Sequence, residues 1–258
     1  MIDEDRLRLL DRNMADANSA YIATSELGEI AENRDVRLWC CGFPVPDYNV
    51  AFLKVPVRDL AACLAKAEAV FAPRGFPWRV MLRREVAAEL ETELVDAGFR
   101  EATRNPGMIL TAPKAPAPSN AGLEIRQVTR AEDLERFQAT AFRGFGLPPE
   151  LGAKFITPQF LELPGVRLVL GLVGGEPVCT SAVVMTGDLI GIWWVATLEA
   201  FRGRGFGEAI TWAAVEAGRA LGGTWAGLGA SALGRPVYAR MGFEAPTEYV
   251  HFERPKPE

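Results

Sequence analysis

Arg202-Gly203-Arg204-Gly205-Phe206-Gly207 is the stretch of this sequence with the clearest chemistry. Three alternating glycines let a backbone turn tightly and bring its amides close to a ligand. The residues that follow read as a helix, Glu208–Leu221, with Ile210, Ala214, Ala217 and Leu221 on one face. The free N–H groups at the start of such a helix form an anion site, and Arg202 and Arg204 add positive charge. Together these suit a pyrophosphate. Two common phosphate loops are excluded. A P-loop needs GxxxxGK[ST], and no Lys-Ser or Lys-Thr occurs here. A dinucleotide fingerprint needs GxGxxG, but the sixth position is Glu208 counted from Gly203 and Ile210 counted from Gly205. The pattern Arg/Gln-x-x-Gly-x-Gly/Ala remains, and Arg202, Gly205 and Gly207 satisfy it.

The elements around the loop must position it. Leu123–Val128 reads as a strand, and Ala131–Phe142 as a helix with Thr129 as its N-cap. Pro149–Ile156 reads as a short helix. Val166–Val173, Pro177–Met185 and Leu189–Leu198 read as strands joined by tight turns at Gly174-Gly175 and Gly187-Asp188. After the glycine loop and its helix come a strand at Thr224–Leu228, a helix near Leu233–Met241 and a strand at Thr247–Glu253. Strand, loop, helix, strand is a crossover, so Leu189–Leu198 and Thr224–Leu228 are expected to be parallel. Ligands of open sheets bind beyond the C-terminal strand ends, where the loop lies.

A Pro/Ala run, Ala112–Asn120, reads as an extended linker. The piece before it carries a strand at Tyr48–Val55, a helix at Val57–Phe71, a strand at Trp78–Arg83, a helix at Val86–Ala97 and a strand at Gly107–Thr111. Gly98-Phe99 stands where Gly242-Phe243 stands in the second piece. The same order in both pieces is the mark of an internal duplication. A Gly-Phe pair after a helix is also an ordinary cap with an apolar anchor.

The chain resembles the GNAT-type N-acetyltransferase superfamily. The resemblance rests on Val195-Ala196-Thr197, on the loop Arg202–Gly207, and on Tyr238-Ala239-Arg240-Met241-Gly242-Phe243, which looks like the family's Tyr-x-x-x-Gly-Phe ending. It covers residues 122–258. Residues 1–111 look like a degenerate second copy, and 112–121 join the two. The resemblance implies an α/β fold with an α+β mixed sheet, as two tandem acyl-CoA N-acyltransferase-like domains. It implies acetyl-CoA as co-substrate and transfer of its acetyl group to a primary amine of a small molecule or peptide. It assigns the pyrophosphate to Arg202, Gly203, Arg204, Gly205, Phe206 and Gly207, the pantetheine arm to backbone at Val195 and Thr197, and protonation of the departing thiolate to Tyr238. Where many members carry asparagine, seven residues before the tyrosine, this chain has Ser231, whose hydroxyl is expected to meet pantetheine or backbone. The turn after Tyr48–Val55 has no glycine, so the first copy is not expected to cradle a pyrophosphate.

Other residues are ambiguous at this level. No general base is evident, and His251, the single histidine, fits surface or core. Trp193 and Trp194 adjoin on a strand and should point to opposite faces, one toward core and one toward an acceptor. Phe142, Phe145 and Leu147 fall where the resemblance puts an acceptor-side loop. Two rival functions stand beside the enzyme: a non-catalytic coenzyme A-binding sensor, and a structural or interaction protein.

Composition sets the outer bounds. The 258 residues carry a net charge of -5, which argues against nucleic acid or anionic membrane as partner. No apolar run approaches the roughly 18 residues of a membrane span, and the acidic start lacks the pattern of a signal peptide. Cys40, Cys41, Cys63 and Cys179 have neither zinc nor disulfide-framework spacing, and one histidine cannot build a multi-histidine site, so no metal is expected. Reduced thiols point to a cytoplasmic protein, and 23 arginines against 5 lysines to a GC-rich bacterial genome. The sequence leaves the oligomeric state open.

Overall fold

The computed structural model describes residues 4–54, 56–112 and 122–254, so Val55 and nearly all of the expected linker lie outside the described residues. The first half runs α1 (Glu4–Thr24), β1 (Glu29–Glu32), β2 (Val36–Cys40), β3 (Val50–Leu53), α2 (Leu60–Phe71), β4 (Arg79–Arg83), α3 (Arg84–Asp96) and β5 (Arg100–Leu110). The second runs β6 (Glu124–Gln127), α4 (Ala131–Gly144), α5 (Gly152–Phe155), α6 (Pro158–Leu161), β7 (Val166–Val173), β8 (Glu176–Thr186) and β9 (Leu189–Thr197). It continues with α7 (Phe206–Arg219), β10 (Trp225–Gly229), α8 (Arg235–Arg240) and β11 (Glu244–Glu253).

All the strands join one mixed α/β sheet in the order β1-β2-β3-β4-β11-β5-β10-β9-β8-β7-β6. Among the described residues only β3–β4 and β9–β10 are parallel, and α2 and α7 supply the crossovers that parallel neighbours need. The centre is an exchange. β11 lies against β4 of the first half, and β5 lies against β10 of the second. β5 and β11 then pair with each other, Tyr249 opposite Asn105. Each half thus lends its last strand to the other.

Successive strand residues face opposite sides, which fixes the layers. Trp225 and Tyr249 face an apolar cluster with Leu10, Met14 and Tyr21 of α1 and Phe137 and Phe142 of α4. Ala226 and Leu228 face Ile210, Ala214 and Val215 of α7 and Tyr238 of α8. Val250 and Phe252 face Leu64, Ala67 and Phe71 of α2 and Leu94 of α3. The stripes have helical spacing: Leu60, Cys63, Leu64, Ala67 and Phe71 on α2, and Leu10, Met14, Ala17 and Tyr21 on α1.

A buried polar residue is among those that tie the halves together. Asn13 of α1 is 2 % exposed. Its amide donates to the Val184 carbonyl at 2.8 Å and to Thr186 Oγ1 at 3.1 Å, and its Oδ1 accepts from Trp193 Nε1 at 3.1 Å. The approach requires glycine beneath it, because a Cβ at Gly191 would lie 2.0 Å from Asn13 Oδ1. Asn13→Ala leaves the buried Val184 carbonyl and the Trp193 N–H without this partner. It is expected to lower unfolding free energy by about 3 kcal/mol. Urea titration checks this, and a loss under about 1 kcal/mol makes Asn13 incidental to the docking of α1.

Several boundaries differ from the sequence reading. The N-cap of α4 is Arg130 rather than Thr129, since the Val128 amide still bonds the Leu168 carbonyl and keeps the chain extended. α7 begins at Phe206, two residues before the expected start, because Gly205 takes the left-handed cap conformation. Pro149–Ile156 divides into a 3-10 turn and α5. β5 begins at Arg100 rather than Gly107, and β11 at Glu244 rather than Thr247, with a register shift between Glu244 and Thr247.

Candidate functional site

β9 and β10 pair over a short stretch, Leu189–Gly191 against Trp225–Gly227. Beyond it the strands part. β9 stays with β8 as far as Thr197 opposite Cys179, while β10 stays with β5 as far as Gly229 opposite Gly107. From Ile192 to Thr197 the edge of β9 toward β10 carries no strand partner among the described residues. Val195 and Thr197 stand on this edge, both half-buried.

A β-bulge shapes the opening. Trp193 is opposite Ala182 and Ala196 opposite Thr180, so β9 carries one extra residue there. Trp194 sits in the bulge with φ 49°, the one positive-φ residue other than glycine among the described residues. Thr180 Oγ1 holds the strained peptide by donating to the Trp194 carbonyl at 2.9 Å. The bulge overturns the expectation for the two tryptophans. An extra residue breaks strand alternation, and both rings turn to Tyr21, with centroids 6.2 Å (Trp193) and 5.8 Å (Trp194) away.

The glycine loop follows directly. Glu199–Phe201 forms a 3-10 turn, Arg202 is extended, and Gly203 and Gly205 take φ 75° and 78°. Gly205 caps α7 with no side-chain hydrogen bond, which leaves the first amides of the helix without a side-chain partner. A Cβ at Gly203 would meet nothing within 4 Å. Phe206 anchors the helix start in the core, 7 % exposed. The two arginines also brace the loop: Arg202 Nε donates to the Thr197 carbonyl at 3.2 Å, and the Arg204 guanidinium lies 5.2 Å over the Phe201 ring. In the first half the corresponding helix start is different. The Asp59 carboxylate accepts from the Ala62 amide at 2.9 Å and so covers the N-terminus of α2.

Tyr238 is the buried residue of α8, in one apolar cluster with Phe206, Phe243 and the partly buried Val195. Burial pushes its hydroxyl pKa up, so it stays protonated at neutral pH. Ser231 is exposed, and its Oγ accepts from the Gly234 amide at 3.1 Å, which leaves its own proton to donate. Gly234 holds the two together, since a Cβ there would lie 2.7 Å from Tyr238 Cε2 and 3.4 Å from Ser231 Oγ. Sequence reasoning did not single it out.

On the opposite face of the sheet Phe142 stacks on Trp194 (5.4 Å, 9°) and Phe145 meets it edge-on (5.2 Å, 83°), with Leu147 buried beside them. Tyr48 of the first half also stacks on Trp194 (5.6 Å, 9°). The sequence reading missed both Tyr48 and Tyr21. The stripe on α1 signals that Tyr21 is buried, but not that it meets β9. His251 lies elsewhere, on β11 between β4 and β5, with burial holding its pKa down at about 4. Cys41, Cys63 and Cys179 are buried thiols pushed up to about 12, 11 and 12, which leaves them poor nucleophiles. Among the described residues no three His, Cys, Asp or Glu side chains are grouped to hold a metal ion, and no helix is long and apolar enough to cross a membrane.

Solved structures share this architecture. A GCN5-related N-acetyltransferase from Kribbella flavida matches with a TM-score of 0.71 at 21 % identity, over 96 % of each chain. One from Sphaerobacter thermophilus matches at 0.64 and 17 %, over 88 % of this chain and 83 % of its own. A tandem GNAT protein from the clavulanic acid biosynthesis pathway matches at 0.60 and 15 %, over 96 % of this chain and 89 % of its own. No protein-family model and no curated protein sequence matches the chain. The chain has the fold of the GCN5-related N-acetyltransferases.

Proposed function

We propose that this chain transfers acetyl from acetyl-CoA to a primary amine of a small molecule or peptide, with one working site, in residues 122–258. Residues 1–111 support that site and bind no cofactor of their own. The uncovered start of α7 beside the parted ends of β9 and β10 carries the reading: glycine amides stand next to a strand edge left without a partner, where a thioester arm could pair. The start of α2, covered by Asp59, is the internal contrast.

Acetyl-CoA, when bound, supplies an acyl group activated as a thioester. The amides of Gly203 through Gly207, with Arg202 and Arg204, would hold its pyrophosphate, because no side chain fills that cradle. Backbone at Val195 and Thr197 would pair with the pantetheine arm, and an N–H there would polarise the carbonyl. The Ser231 hydroxyl would add a contact. Tyr238 would hold the proton for the departing sulfur, and burial keeps its hydroxyl protonated at neutral pH. Direct attack by a neutral amine needs positioning more than acid–base power, in keeping with His251 lying away from the opening. Four free, buried cysteines suit work in the reducing cytoplasm of a bacterial cell.

Calorimetric titration with acetyl-CoA tests the reading. One site per chain is expected, and two sites or none contradict it. With any amine that turns over, Tyr238→Phe is expected to lower kcat at least about tenfold at an unchanged acetyl-CoA Kd. An unchanged kcat removes Tyr238 from the path of the proton.

A further inference from the structure

Opposite the cofactor helix α7, the parted strands are roofed by aromatic rings from both halves. Trp194 is stacked by Tyr48 and Phe142 and met edge-on by Phe145, and Tyr21 lies beneath. Three features distinguish this roof from ordinary core. Phe145 keeps 45 % of its surface in water although its ring touches the strained bulge residue. The Tyr21 hydroxyl is buried among the rings with no well-formed hydrogen bond, the Trp194 indole being the polar side chain beside it. The carboxylates close along the chain are not buried among the rings: Asp47 pairs with Arg79, Asp16 accepts from Thr186 Oγ1 at 3.0 Å, and Glu26, Glu150 and Glu199 are exposed.

We propose that the acceptor is an arylalkylamine, a primary amine on a short tether from a flat aromatic ring, seated against Phe145 and Tyr48. This rests on the acetyl-transfer reading and narrows its substrate. A polyamine or amino sugar needs carboxylates or a dense set of polar partners, and the roof offers ring faces instead. Ring faces attract both an aromatic body and an ammonium group. Tyr48 belongs to the first half, so that half sets acceptor choice while the second half holds the cofactor.

The experiment uses the full chain. Release of the coenzyme A thiol is followed at saturating acetyl-CoA with tryptamine, tyramine, putrescine, octylamine and glucosamine. In parallel, tryptamine is titrated calorimetrically into protein saturated with coenzyme A. The expected result is a kcat/KM for tryptamine or tyramine at least tenfold above the other three. Phe145→Ala, a change at an exposed ring, should raise the tryptamine KM and the calorimetric Kd at least fivefold, with the acetyl-CoA Kd within twofold of wild type. Tyr48→Phe should retain the preference and Tyr48→Leu lose it. Normal acetyl-CoA binding with preference for putrescine, octylamine or glucosamine, or with no aromatic amine bound, overturns the proposal and leaves the transfer reading standing. Failure to bind acetyl-CoA overturns both.

Discussion

A chain with aspartate at position 205 is expected to bind acetyl-CoA about a hundredfold or more weakly than wild type while folding normally. Gly205 has φ 78° and caps α7 without a side chain. Aspartate is among the side chains that tolerate a left-handed backbone, so the strain is about 1 kcal/mol or little more. Its carboxylate would stand beside the first amides of α7, on a left-handed backbone rather than the extended one from which Asp59 caps α2. A fixed negative charge then faces the pyrophosphate. Two unit charges about 4 Å apart repel by about 4 kcal/mol near a protein surface, which exceeds a hundredfold in Kd. Gly205→Asn separates the two causes, since it adds similar bulk without charge and should lose distinctly less. Thermal melting confirms the fold, and calorimetry reads the affinity. Wild-type affinity in the aspartate variant places the pyrophosphate elsewhere.

The second large effect is on stability in acid. His251 is 6 % exposed, its Nδ1 has no hydrogen-bond partner, and its Nε2 lies 3.5 Å from the Asn105 amide. Burial lowers its pKa from 6.5 to about 4, against a raising influence from Asp47, while Arg79 lowers it further. The folded protein therefore holds His251 neutral over a range in which the unfolded chain binds a proton. Its contribution is fully present above pH 6.5 and is lost as pH falls toward 4, about 3 kcal/mol in all. Asp11, whose pKa burial raises, pulls stability the other way with pH, but it is common to wild type and variant and cancels in their difference. As His251 is the single histidine, one substitution removes the effect. His251→Gln should lose about 2 kcal/mol less than wild type between pH 7 and pH 4.5, measured by urea titration across the range. Parallel pH profiles would show that protonated His251 is accommodated without cost.

Apolar strands such as Val166–Val173 and amphipathic helices such as α2 and α7 were legible because periodicity reports burial directly. The glycine loop was legible because its chemistry lies in consecutive residues. The first part of β5 was not. Arg100–Asn105 is polar and largely exposed, and its strand state comes from pairing with β11, distant in sequence. The bulge at Trp194 was hidden for a related reason: it depends on the register of β8 and a hydroxyl from Thr180. α1 went unread although Leu10, Met14, Ala17 and Tyr21 mark its face. What that face meets, a sheet built largely by the other half, is not written locally. Asp59 was the readable signal not used, since aspartate before an apolar helical run is a strong N-cap.

The exchange of β5 and β11 has a consequence for the birth of the protein. As the chain leaves the ribosome, the first half emerges with β4 at an open edge, because its sheet neighbour β11 is made after every other strand. Its own β5 meanwhile awaits β10 as well. Neither half can close its sheet by itself, so folding must be completed late and together, with unpaired edges exposed throughout synthesis. Strand edges therefore stay open until β11 is made, and the shared sheet then couples the stability of one half to that of the other.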